Sequence, residues 1–172
     1  MRATMDLASL KPLAAITLAD VAARAETTVQ TVLRQFDSRQ GLFHAVTEFA
    51  RAQVVSERET TPGDVPRALQ ILLDHYEQRG DGVMLLLAQE SWDPLAAEIT
   101  DVGRREHRDW LEKVFGPLLT HRSPVERTER IDLLLIATDV YAWKLLRRDR
   151  RLDRAEAESR MLDLVYRILK EA

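Results

Sequence analysis

Thr17 to Phe43 reads TLADVAARAETTVQTVLRQFDSRQGLF. Leu18, Val21, Ala22 and Ala25 recur at helical spacing behind Thr17, a good N-cap. Asp20, three residues after the cap, is placed to return a hydrogen bond to it, as in a capping box. Thr28 can cap a second helix, Val29 to about Phe36, with Val32, Leu33 and Phe36 on one face. The connection between the helices has room for only a few residues. Two helices that short must cross steeply, which is the geometry of a helix-turn-helix. The plainer alternative is a helical hairpin inside an unrelated all-α protein.

Working outward, Met1 to Ala15 should hold a first helix, with Ala3, Leu7, Ala8 and Leu10 on its apolar side before Pro12 stops it. Gly41 to about Thr60 reads as one long helix with Leu42, Val46, Phe49 and Val54 in a stripe. Thr61-Pro62-Gly63-Asp64 breaks the chain, and Pro66 can open the next helix. Gly80-Asp81-Gly82 should end that helix, because glycine favours the position after a helix C-terminus. Val83 to Ser91 then forms a separate helix, and Pro94 opens another reaching Phe115. The fold expected is all-α.

The run TLADVAARA, then TVQTVLRQF, then DSRQGLF resembles the DNA-binding domain of the TetR family of transcriptional repressors. The resemblance implies a three-helix DNA-binding domain over 1–48, joined to a helical ligand-binding and dimerisation body over 49–172. It also implies that the second helix of the motif lies in the major groove of double-stranded DNA. On that reading Thr28, Val29 and Gln30 face bases, Gln30 pairing with adenine and Val29 touching a thymine methyl. Thr17, Thr31, Gln35 and Arg39 would hold phosphates, and Arg34 would reach either a base or a phosphate. The chain departs from the family pattern at Glu26, where glycine is usual, and at Thr27. It departs again at Leu33 and Gln35, where Tyr, or His or Tyr, is common. A residue with a Cβ is strained at Glu26 if the turn needs positive φ.

Between Ile131 and Trp143 the only charges are Asp132 and Asp139. A helix apolar on every side must be buried on every side, which is hard to arrange in a small monomer. Pairing of the last two helices, Pro124 to Arg148 and Arg154 to Lys170, with their copies in a four-helix bundle solves the problem. Ile131, Leu134, Leu135, Ala142, Met161, Val165 and Ile168 are the candidate interface residues of this homodimer, and TetR-like proteins dimerise in this way. The basic run from Arg147 to Arg154 is either an anion site or a solvated helix end. His75, Tyr76, Trp92, Trp110 and Tyr141 are polar-tipped residues among apolar neighbours, with Leu72, Met84 and Leu87 as apolar walls. They suit a pocket for a small, largely apolar ligand. Equally, they suit an ordinary core with satisfied tips.

The net charge of −3 does not exclude DNA, but it argues against strong unspecific binding. With no cysteine there is neither a disulfide framework nor a thiolate metal site. The apolar run Val83 to Ala88 is too short to span a bilayer, no signal-peptide pattern opens the chain, and the cytoplasm is the expected compartment. No Gly-rich phosphate loop, G-x-S-x-G or H-E-x-x-H occurs, so no enzyme is expected. The four histidines are scattered, and neither a metal nor a cofactor is implied. The reading is a ligand-responsive repressor binding a pseudo-palindromic operator as a homodimer. The alternative is a dimeric helical binding module with weak or lost DNA recognition.

Overall fold

The computed structural model describes residues 1–170, and these are helical without a strand. The order is α1 Arg2–Ala8, α2 Leu18–Arg24, α3 Val29–Phe36, α4 Arg39–Glu57, α5 Val65–Leu87, α6 Pro94–Phe115, α7 Pro124–Thr138, α8 Val140–Lys144 and α9 Arg154–Lys170. Short 3₁₀ turns follow α1 and α6, and a π-helical turn, Leu145–Asp149, extends α8. Packing divides the described chain into residues 1–56 with 81–103, and residues 57–80 with 104–170.

In the first unit, local chemistry sets the helix ends. Thr17 Oγ1 accepts from the Asp20 amide at 3.1 Å, and Asp20 Oδ2 accepts from the Thr17 amide at 2.8 Å, closing the expected capping box. Thr28 Oγ1 caps α3 by accepting from the Thr31 amide at 3.1 Å. The Gly41 amide donates to Ser38 Oγ at 2.9 Å, so α4 begins two residues before the expected start. Leu13, Ile16, Val21, Val32, Leu42 and Phe43 form the core with Ala96 of α6. Gln89, only 2% exposed, accepts from the Leu13 amide and donates to Leu85 O, tying the N-terminal helices to the end of α5. The first helix is shorter than expected. It stops at Ala8, and Leu10 is 74% exposed rather than part of an apolar side.

In the second unit, Leu69, Leu72, Leu73 and Tyr76 of α5 are buried, as are Leu111 and Phe115 of α6, Ile131 and Leu134 of α7, Trp143 of α8, and Met161 and Val165 of α9. Ser123 and Glu126 form a second capping box behind Pro124, the first residue of α7.

Two expectations about helix ends are corrected. Gly80-Asp81-Gly82 does not end a helix: α5 runs through it to Leu87, so Val83 to Ser91 is not a separate element. Gly80 is there for close approach. A Cβ on it would lie 2.6 Å from Trp143 Cη2 and 2.9 Å from Cε3, closer than side-chain atoms pack. Pro124 to Arg148 is not one helix either. Asp139 turns extended (ψ 153) after Thr138, and its carboxylate accepts from the Tyr141 amide to start α8.

The candidate dimer residues also need correction. Ile131, Leu134, Met161 and Val165 are at most 1% exposed within a single chain, and Ile168 is buried as well. They form the seam between α7 and α9 of one molecule, and Leu135 and Ala142 are half-buried. The apolar residues left open on these helices include Leu133, Ile136, Tyr141 and Leu164, with Ile136 67% exposed. Leu133 and Ile136 share a side of α7 because residues three apart on a helix do.

Candidate nucleic-acid interface

The turn between α2 and α3 carries Glu26 at φ 51, the left-handed backbone that the sequence pointed to. It holds although glutamate is strained there, by about 1–2 kcal/mol. Beyond the turn, α3 buries Val32 and exposes Thr28, Val29, Gln30, Leu33, Arg34 and Gln35. Thr28, Gln30, Thr31, Leu33 and Arg34 line a shallow surface depression. The N-terminal end of α3 therefore presents an amide acceptor–donor pair on Gln30, a branched apolar group on Val29 and a guanidinium on Arg34. That set can read base edges and a phosphate together.

The neighbouring cations are less open. Arg39 Nε donates to Ile16 O at 3.1 Å and Nη2 to Leu13 O at 2.6 Å, and its guanidinium stacks 4.6 Å from the Phe43 ring centroid. Arg39 was expected to hold a phosphate. Here it binds the carbonyls at both ends of the 3₁₀ turn. Lys11 pairs with Asp20, and Arg24 with Asp6. The Lys11 ammonium, followed by the Thr17 amide and hydroxyl, pulls the Asp20 carboxyl down to about 2. Thr17 remains exposed, with its own amide and hydroxyl donating to Asp20.

These helices, their caps and the exposed end of α3 match a known domain. The family of bacterial regulatory proteins described as tetR matches over residues 1–46. Residues 1–46 are a tetR-family domain. The matched tetR domain is a DNA-binding helix-turn-helix of bacterial regulatory proteins. Across its length the tetR-type chain is similar to a crystal structure of a transcriptional regulator from Rhodococcus sp. Rha1, with a TM-score of 0.67 at 22% identity, covering 98% of this chain and 93% of that one. This likeness carries the fold. No curated protein matches the tetR-type chain. Among the described residues no helix is long and apolar enough to cross a membrane.

The candidate pocket residues of the tetR-type chain do not converge as a group. Trp92 and Tyr141 are 56% and 53% exposed, which corrects their reading as polar-tipped pocket residues among apolar neighbours. Met84 and Leu87 are half-buried in the first unit. Leu72, His75, Tyr76 and Trp110 are buried in the second unit, with satisfied tips. The Tyr76 hydroxyl donates to Thr138 O at 2.9 Å, and Trp110 Nε1 donates to Arg58 O at 3.1 Å. His75 Nδ1 lies 3.4 Å from Glu57 Oε2. Burial, with Arg58 and Arg79 nearby, holds the His75 pKa down to about 2. That contact is therefore a hydrogen bond from a neutral imidazole rather than an ion pair.

Two buried residues that the sequence did not single out join this group. Arg58 Nη1 donates to His107 Nδ1 at 3.3 Å, and His107 Nε2 meets Thr138 Oγ1 at 3.0 Å. Thr138 Oγ1 in turn donates to Leu134 O at 2.7 Å, so it accepts from His107, whose proton sits on Nε2. Trp110 stacks on His107 with centroids 5.6 Å apart. The basic run after α8 is engaged locally: Arg147 grips Glu77, Arg154 grips Asp74 and Glu158, and Arg148 lies over the Trp143 ring. At Arg147 and Arg154 the run is held by carboxylates.

Proposed function

We propose that the chain is a homodimeric, ligand-responsive repressor that reads a pseudo-palindromic operator. The functional division falls at residues 1–48 for DNA and 49–172 for dimerisation and ligand. The observation that carries this reading is the exposed N-terminal end of α3, where Thr28, Val29 and Gln30 stand clear of the core. Gln30 pairs with adenine, Val29 meets a thymine methyl, and Thr31, Arg34 and Gln35 contact phosphates. The open apolar side of α7 at Leu133 and Ile136 supports a second copy seated on it. A two-fold dimer places two reading helices roughly 34–36 Å apart, one turn of DNA. A ligand in the body releases the operator only if it binds the DNA-incompetent form better than the competent one.

The test is selection of bound duplexes from a random pool by the purified protein, followed by titration at two salt concentrations. The expected result is a pseudo-palindrome whose affinity falls on Gln30→Ala. Binding that is only salt-sensitive, with no sequence enriched, refutes it.

Arg39 turned onto backbone carbonyls and Glu26 in the docking turn favour a second reading, a dimeric binding module with weak DNA recognition. On that reading Glu26→Gly together with Leu33→Tyr raises DNA affinity. No change on a selected duplex counts against it.

A further inference from the structure

The second unit buries a cation without a counter-charge. Arg58, in the turn after α4, is 9% exposed. Its Nη1 donates to a neutral imidazole, its guanidinium carbon lies 5.4 Å from the Tyr76 ring centroid, and its Nε is buried without a hydrogen-bond partner. Among the described residues no carboxylate lies within ion-pairing distance of it. The two carboxylates beside it in sequence are turned elsewhere, Glu57 to Arg79 and His75 and Glu59 to Lys113. Arginine cannot shed its proton, so burial does not neutralise this group. An unpaired buried charge with an unmade hydrogen bond is among the least favourable arrangements a fold can carry.

We infer that Arg58 is the anchor for the carboxylate of a small monoanionic ligand with an apolar body, bound in the second unit. The inference rests on the reading of this unit as the ligand-binding part, and it changes the ligand class from largely apolar to amphipathic and acidic. The missing counter-charge selects an anion: no carboxylate of the described residues lies at ion-pairing distance from Arg58, and the carboxylate of a ligand supplies one. Geometry agrees, because an unbonded guanidinium Nε is one half of the fork that grips a carboxylate. Tyr76, Trp110 and Leu72, buried around this part of α5 and α6, are the apolar side chains that the body of such a ligand would meet. His75 and His107 contribute no positive charge of their own, since burial first and Arg58 second hold them neutral, near 2 and 3.

The probes are octanoate and benzoate, each compared with its neutral amide, added to the full chain in a thermal-unfolding assay. The carboxylates are expected to raise Tm by about 5 °C near saturation and the amides are not. Arg58→Met is expected to lose the response at least tenfold in apparent affinity, while unfolding at the same temperature as the unliganded parent or above it. Arg58→Lys, which keeps the charge without the fork, is expected to retain a weakened response and guards against a Met variant that fails to fold. No response to either carboxylate, an equal response to the amides, or one that persists in Arg58→Met overturns the inference. The operator titration is read separately. Carboxylate binding that leaves the selected duplex bound refutes the ligand-released repressor and leaves the site standing.

Discussion

Replacing Gly80 by alanine adds one methyl group where the Trp143 ring leaves no room. The new Cβ would fall 2.6 Å from Cη2, and Trp143 is 0% exposed, so it has no open side to move towards. Its indole N–H donates to Glu77 Oε1 at 2.8 Å, and the same carboxylate holds Arg147, so ring displacement also pulls on that network. Overpacking costs about 1–3 kcal/mol. Losing a hydrogen bond to a charged acceptor costs about 1.5–3 kcal/mol. Alanine returns about 1 kcal/mol of helix propensity. The net is a destabilisation of about 3 kcal/mol, or a fall in Tm of roughly 6–12 °C for a chain of this size. Gly103→Ala is the control: it lies within α6 with nothing within 4 Å of a new Cβ, so it should gain up to about 1 kcal/mol. Thermal and urea unfolding of the two variants read the difference. If Gly80→Ala matches Gly103→Ala in sign, the close packing of α5 against Trp143 is not what places glycine there.

Arg39→Ala should cost about 2 kcal/mol in urea unfolding, with Arg39→Lys recovering little, because one ammonium cannot span both carbonyls. On a selected duplex its salt slope should stay unchanged, whereas Arg34→Ala should reduce the slope by about 1; the reverse pattern would show that Arg39 is a phosphate ligand after all. Asp20 has a folded pKa of about 2 against 3.8 unfolded, so its contribution is complete above pH 4 and is lost as pH falls towards 2. The gap in urea midpoint between wild type and Asp20→Ala should therefore be flat from pH 4 to 6 and close below that; a gap that persists at pH 2 would contradict it. Ile136→Glu should yield a folded monomer by light scattering, while Ile131→Glu should unfold the chain by burying a charge. A dimer that survives Ile136→Glu rules out that face of α7.

The helix-turn-helix was legible because its determinants are local. Thr17 with Asp20, and Thr28 with Thr31, are three apart, and the strain at Glu26 followed from one position in a short turn. What misled lies far apart in the chain. The Gly80-Asp81-Gly82 run looks like punctuation until Trp143 is seen against it. The apolar run of α7 correctly requires cover on all sides. It does not say which side is covered by α9 of the same chain, and that assignment was reversed for Ile131 and Leu134. Arg39 carried a charge that suited phosphate, yet two carbonyls of its own chain captured it. Arg58 and His107 are separated by 49 residues, and no periodicity connects them.

On α3 the inward and outward residues have separate duties. Val32 anchors the helix in the core and Thr28 caps it, whereas the exposed side chains of Val29, Gln30 and Arg34 have no hydrogen bond in the fold. These positions can therefore be varied together among helix-forming residues at little cost to the fold, and a library built on them should stay soluble while its preferred duplex changes. The scaffold is a socket with an interchangeable face: if this face reads the operator as proposed, a new operator can be acquired without repairing the core.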